Sequence, residues 1–152
     1  MAEQILDKEI DALNKICEGI DNLKGLSDGQ KAKLSAIFGK RLVNALKAVD
    51  ELAVKKYVFE PSGRLVWVVV GKERDYQVIP AANYCSCDDF YFHVIEGTTP
   101  ICYHILAQKL AELLDRFEII VDSDDIYDVL VGEWRFIKKE DFAIQKQQLK
   151  GI

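Results

Sequence analysis

Two short runs of sequence, YCSC at residues 84–87 and ICYHILA at residues 101–107, decide the fold. They hold two pairs of metal-ligating side chains, Cys-x-Cys and Cys-x-His, which are separated by fourteen residues. Three thiolates and one imidazole complete the tetrahedral coordination of a structural Zn²⁺ site and leave no position for water. The sequence therefore predicts one structural Zn²⁺ ion, bound by Cys85, Cys87, Cys102 and His104.

The spacing of the second pair constrains where the following helix begins. Residues two apart on a regular helix point about 200° away from each other at 3.6 residues per turn, so Cys102 must precede the regular helix. The N-terminus of a helix also favours the negative charge of a thiolate. His93, which follows the aromatic run at residues 90–92, is an alternative ligand, although a histidine in that setting is typical of core or surface packing. Cys17 is predicted to be a small buried residue on an apolar helix face.

Outward from this motif, hydrophobic periodicity and turn signals predict an α+β fold. Helices are expected over residues 3–24, 27–38, 40–53, 102–117 and 124–132. Strands are expected over residues 55–60, 65–71 and 76–79, the first two joined by a Pro-Gly hairpin turn. The expected fold is N-terminal helices, a small three-stranded antiparallel sheet, a zinc-stapled ββα-like finger and a C-terminal helix.

The length of 152 residues indicates a single domain. We divide it into a helical part (1–53), the hairpin with the finger (54–118), and a C-terminal helix with a tail (119–152). The second β-rich run is apolar on both faces, which is typical of a central strand covered on both sides.

The composition narrows the class of protein. With 49% hydrophobic and 30% charged residues, the chain resembles neither a membrane protein nor a disordered one. No apolar run approaches the roughly 18 residues of a membrane span, and the start lacks the pattern of a signal peptide. We therefore expect a cytoplasmic protein, or a nuclear one if the host is a eukaryote.

The net charge of −5 is unevenly distributed along the chain. Residues 24–74 carry a net charge of +6, whereas residues 112–133 carry −7. A protein that binds DNA by charge alone is normally basic overall. This chain offers DNA at most a basic patch.

The zinc ligands and their flanks resemble a known family. The Cys-x-Cys and Cys-x-His pairs resemble the SWIM zinc-finger pattern. Ala107, three positions after the histidine, matches the alanine that the recombination branch of this family has there. Further matching positions are Phe38-Gly39, residues 61–64, Tyr84, Phe90, Leu106, Leu110, Asp122-Ser123-Asp124 and Leu130. Over residues 28–132 the chain resembles the small SWIM proteins of Shu-type homologous-recombination complexes, in an archaeal-looking form.

This resemblance implies an adaptor protein that pairs with a RecA/RadA-family recombinase paralogue and supports recombinase filaments on single-stranded DNA. The sequence has no phosphate-binding loop of an ATPase and no arrangement of catalytic side chains. A closed zinc site also argues against a zinc enzyme. Two positions differ from the family pattern: Asp88-Asp89 stands where relatives often have Pro-Ala, and Tyr103 stands where a lysine is common. Both differences remove neutral or positive character beside the zinc site, which argues against direct DNA contact by the finger.

The alternative is an autonomous single-stranded DNA-binding protein, in which basic side chains neutralise phosphates and Tyr57 or Trp67 stacks on bases. The basic candidates are Lys55, Lys56, Arg64, Lys72 and Arg74.

For an adaptor, the partner should contact apolar surface that the monomer leaves exposed. The N-terminal apolar seam and the acidic C-terminal helix supply the candidates, which are Leu6, Ile10, Leu13, Ile126, Val129 and Leu130. A homodimer through the N-terminal seam is a further option. Ala107 is expected to pack its helix against the strands and so support the zinc site.

Overall fold

The computed structural model describes residues 2–21, 23–88, 90 and 101–136. Over these residues, five α-helices accompany a five-stranded mixed sheet, which confirms the α+β class. The helices are α1 (Ala2–Cys17), α2 (Asp28–Phe38), α3 (Lys40–Asp50), α4 (Tyr103–Leu114) and α5 (Tyr127–Phe136). The strands are β1 (Val54–Glu60), β2 (Arg64–Val70), β3 (Asp75–Ile79), β4 (Tyr84–Cys85) and β5 (Glu118–Ser123).

Four of the five helices begin close to where the sequence predicts, and three end earlier, among them α3, which ends at Asp50 and not at residue 53. Ser27 caps α2 in a capping box, in which its hydroxyl accepts the Gln30 N–H and the Gln30 side chain accepts the Ser27 N–H. The first helix ends at Cys17 and not at residue 24, because the chain turns at Gly19, whose N–H bonds the Ile16 carbonyl. Likewise, α4 ends at Leu114 and not at residue 117.

The sheet has five strands, so the expectation of three is wrong. Its order is β4-β3-β2-β1-β5. The first four strands pair antiparallel, whereas β5 runs parallel to β1, with Glu118 opposite Lys55 and Ser123 opposite Glu60. The sequence-based assignment placed residues 119–123 with the C-terminal helix. A parallel pairing between segments about sixty residues apart leaves no local turn signal, because a crossover replaces the hairpin.

The two faces of the sheet pack against different helices. On the α4 face, Val54, Trp67, Val69 and Val78 join a core with α1, α2, α3 and α4. On the α5 face, defined by Phe59, Val66 and Val68, the side chains of Leu130 and Trp134 complete a second, smaller core. β2 is buried on both faces from Val66 to Val69, as its apolar sequence predicts.

The C-terminal helix starts later than predicted. A 3-10 turn at Asp124–Ile126 comes first, with the Ser123 hydroxyl accepting the Asp125 N–H, and α5 then continues to Phe136. His93, the tail from residue 137 and the side chain of Leu6 lie outside the described residues. Among the helices that the structure describes, none combines the length and apolar character of a membrane span.

Candidate metal centre

The fold brings the four predicted ligands together. The ligand atoms of Cys85, Cys87, Cys102 and His104 all lie within 4.8 Å of one another, and all four residues are buried. Cys85 ends β4, and Cys87 follows two residues later. Cys102 is the N-cap of α4, with extended backbone angles of φ −76° and ψ 165°, so it precedes the regular helix as the spacing requires.

The environment of His104 shows that the site suits a metal ion. Both ring nitrogens are buried, and neither has a hydrogen-bond partner among the described residues. An unpaired buried nitrogen is costly, and coordination of a metal by one of them removes part of that cost. The aromatic rings of Tyr103 and Tyr76, with centroids 3.9 Å and 4.4 Å from that of the imidazole, fix its orientation.

The three thiols affect one another's charge: hydrogen bonds to Cys102 and Cys87, together with burial, raise the pKa of Cys85, and the hydrogen bond to Cys87 raises the pKa of Cys102. Hydrogen bonds from Cys102 and Cys85 lower the pKa of Cys87, and the neighbouring His104 lowers it further. The Phe90 N–H also points to the Cys87 sulfur, at 3.3 Å. Three thiolates and an imidazole are the donor set of structural Zn²⁺ sites, and the cluster fits one such ion with no position left open. Bound zinc would supply a covalent staple between the sheet and α4.

The backbone beside Cys102 is held from two sides. The Glu9 carboxylate of α1 accepts the Ile101 N–H at 3.1 Å, and Arg41 of α3 donates to the Ile101 carbonyl at 2.7 Å. Glu9 and Arg41 also form an ion pair with an N–O distance of 2.9 Å. These contacts position the peptide that precedes the third ligand, and the sequence gives no local signal for them.

Ser86, the residue between the first two ligands, is also held by hydrogen bonds from neighbouring elements. The Ser86 hydroxyl donates to the Trp134 carbonyl of α5 at 2.6 Å and accepts the Gln77 N–H of β3 at 2.9 Å. Arg74 donates to the Ser86 carbonyl and lies 3.7 Å from the exposed carboxylate of Asp88. The C-terminal helix is therefore attached directly to the Cys-x-Cys turn.

Ala107 is the small residue that the sequence analysis expects to support the zinc site. It is fully buried in the α4-face core, one turn after His104 and between Leu106 and Leu110 in that core. A small residue here lets α4 approach the sheet closely.

Four of the five basic candidates for nucleic-acid contact interact with other side chains of the chain. Lys55 pairs with Glu118 at 3.1 Å. Lys56, Arg64 and Arg74 each lie over an aromatic ring, those of Trp67, Tyr127 and Tyr76 respectively. Lys72 is exposed.

The two rings proposed as base-stacking platforms are also occupied. Trp67 is buried and packs edge-on against Phe117, with ring centroids 4.9 Å apart. Tyr57 lies against Trp134, with ring centroids 4.8 Å apart. Trp67 is therefore closed to a base in this conformation, whereas Tyr57 is partly buried.

The candidate partner residues differ in their exposure. Leu13 and Leu130 are only 1% and 8% exposed, so they belong to the cores and not to a free surface. Their helical spacing identifies an apolar face, and tertiary packing covers it. Ile10 and Val129 are partly buried against the same cores, whereas Ile126 is exposed. Several exposed apolar residues were not among the predicted candidates, and two of them, Ile119 and Val121, lie on β5.

A buried, closed Cys₃His cluster between a β-turn and a helix N-terminus defines a zinc-finger protein. Comparison with known proteins then identifies the family. The chain is 30% identical over 122 residues to the zinc finger SWIM domain-containing protein 7 homolog of Dictyostelium discoideum, covering 79% of this chain and 78% of that protein. It is 30% identical over 129 residues to zinc finger SWIM domain-containing protein 7 of Mus musculus, covering 83% and 84%. The chain belongs to this SWIM zinc-finger family.

The human protein of the same name is 28% identical over 124 residues, covering 80% of this chain and 88% of that protein. These relatives give no support to the archaeal character expected from the sequence. No family model matches the chain. No solved structure matches it either.

Proposed function

We propose that this protein is a non-enzymatic adaptor of a Shu-type complex, which binds a RecA/RadA-family recombinase paralogue and supports homologous recombination and DNA repair. The observation that carries the proposal is the buried Cys₃His cluster in a chain of the SWIM protein 7 family. With four protein ligands, zinc has a structural role and keeps no position for a substrate. The relatives are likewise named as zinc-finger proteins and not as enzymes.

The contacts of the basic residues support an adaptor over an autonomous DNA-binding protein. Side chains that pair with carboxylates or lie on aromatic rings must give up those contacts to reach phosphates. Single-stranded DNA is therefore contacted mainly through the complex. The proposal places the protein in the cytoplasm, or in the nucleus of a eukaryotic host.

Affinity purification of the full-length chain from native extract, followed by mass spectrometry, tests the proposal. The expected result is a RecA-fold ATPase that co-purifies in near-stoichiometric amount and remains bound after nuclease treatment. Recovery of no such ATPase, or an association that nuclease abolishes, would overturn the proposed function.

A further inference from the structure

The edge strand β5 presents an unpaired side. Within the part of the chain that the structure describes, it is the last strand in the sheet order, and its ladder joins it to β1 alone. Among the described residues, the β5 backbone makes no hydrogen bond to any other backbone segment. Alternate N–H and C=O groups of an edge strand point away from the sheet, where they can pair with another chain.

One side of β5 carries exposed apolar side chains. Ile119 and Val121, which are 62% and 59% exposed, lie on the α4 face of the sheet. In register with Val121 are Val58 of β1 and Leu65 of β2, the latter 57% exposed. The exposed Leu65, Ile119 and Val121, with the half-buried Val58 between them, form an apolar strip that the described helices of this face do not fully cover.

The other side of β5 is acidic. Glu118 and Asp122 lie on the α5 face and flank Ile120. Asp124 and Asp125 follow directly, and no lysine or arginine occurs between residues 117 and 126. The Glu118 carboxylate stays about half exposed although it contacts Lys55. The strand therefore alternates between exposed apolar residues on one face and carboxylates on the other.

This pattern is unusual for an edge that must stay unpaired. Natural edge strands are protected by charged side chains, above all lysine, by proline or by β-bulges, and of these β5 has only the carboxylates on one face. β5 has no lysine or proline, and its register with β1 is continuous. Pairing with β5 of a second copy would set carboxylates against carboxylates, since the strand has no basic residue, and like charges opposite each other destabilise a sheet.

We propose that β5 is the docking site for an extended segment of a partner protein, which adds as a sixth strand and alternates apolar with basic residues. Its apolar side chains lie beside Ile119 and Val121, and its lysines or arginines face Glu118 and Asp122. Backbone hydrogen bonds supply the affinity, and the alternation supplies the specificity. The proposal rests on the adaptor function, because an added strand requires a protein partner.

A capped nine-residue peptide of alternating valine and lysine is the direct probe. It is titrated into the zinc-loaded full-length chain and followed by heteronuclear NMR. The expected result is chemical-shift change and slowed amide exchange along residues 118–123. Binding should be at least tenfold tighter than that of the analogue with glutamate for lysine. Equal binding of both peptides, or shifts that map elsewhere, would contradict the proposal.

Matched variants isolate the surface. The double substitution Ile119→Lys/Val121→Lys should weaken peptide binding at least tenfold, while zinc content stays at the wild-type value because both side chains are exposed. Tm should fall slightly, because Ile119 is in register with Lys56 and like charges opposite each other destabilise a sheet. Val43→Lys on α3, at a residue that is 64% exposed, is the control and should bind the peptide like the wild type. A wild-type dimer that the double substitution abolishes would show that β5 pairs with a second copy, against the proposal.

Purification from extract separates this proposal from the proposed function. Loss of the ATPase from the Ile119→Lys/Val121→Lys chain, with retention by Val43→Lys, supports both. Equal recovery with all three chains contradicts the docking site and leaves the adaptor function standing. Peptide binding at β5 without any recovered ATPase supports the docking site and contradicts the proposal that the partner is a recombinase paralogue.

Discussion

Ala107 shows at the scale of one residue how packing supports the metal centre. It is fully buried in the core that also contains Cys102 and His104. Ala107→Leu should lower the free energy of unfolding by about 1–3 kcal/mol, because added methylenes overpack a filled site. Urea unfolding with a parallel zinc assay measures both effects. Ala36→Leu, at an exposed position of α2, is the control and should change neither. An unchanged Tm and zinc content in Ala107→Leu would show that the packing assignment is wrong.

Glu9 joins three elements at one point. Its carboxylate binds Arg41 and the Ile101 N–H, and thereby connects α1, α3 and the segment before α4. Glu9→Ala should cost about 1–3 kcal/mol, because it leaves hydrogen-bonding groups without their charged partner. It should also weaken zinc retention against a chelator, since Ile101 precedes a ligand. The exposed pair Lys47–Glu51, 4.0 Å apart, offers the control: Glu51→Ala should cost less than about 1 kcal/mol. Equal effects of the two substitutions would contradict the positioning role.

Ser86 connects the metal centre to the C-terminal helix. Ser86→Ala removes the hydroxyl that bonds both the Trp134 carbonyl and the Gln77 N–H. The buried groups left unpaired should cost about 1–3 kcal/mol. Amide exchange should accelerate in α5 more than in α2, because of these two helices only α5 is bonded to the Ser86 hydroxyl. Ser35→Ala, at an exposed position on α2, is the control and should behave like the wild type. Unchanged exchange in α5 would refute the connection.

The elements differ in how far sequence alone determines them. The zinc ligands and the β1–β2 hairpin could be predicted, because residue chemistry and short-range turn signals specify them. β5 could not, since three apolar residues, Ile119 to Val121, become a strand only through parallel pairing with β1. The apolar face of α1 could also be predicted from its periodicity. Whether Leu13 on that face contacts the core or a partner depends on tertiary packing, which buries it in the core.

The two oppositely charged segments meet in the folded molecule. Lys55 contacts Glu118 at 3.1 Å, and Arg116 lies 3.8 Å from Asp50. Both contacts join the basic segment 24–74 to the acidic segment 112–133, and the Lys55–Glu118 pair reduces the positive potential that the basic segment offers to DNA. Around these pairs, the described surface thus carries mixed charge.

The isolated protein should therefore bind single-stranded DNA weakly at physiological salt. Each phosphate contact contributes a salt slope of only about −0.7 on single strands, and few basic side chains are available. A labelled oligonucleotide titrated at two salt concentrations measures this, with and without the recombinase paralogue. Affinity should rise greatly with the paralogue present. Sub-micromolar binding by the chain alone, abolished by reversing the charges of Lys55, Lys56 and Arg64, would favour the autonomous DNA-binding protein.

The zinc content of matched cysteine variants tests most directly the claim that a Cys₃His site holds this fold together. Elemental analysis should give one zinc per chain for the wild type and for Cys17→Ala, whose thiol is buried but lies outside the cluster. Cys102→Ala should hold well under one zinc and lose amide protection across the described residues between 80 and 118, because structural zinc supplies about 10–16 kcal/mol of apparent binding free energy in small fingers. Full zinc content and wild-type stability in Cys102→Ala would contradict the account.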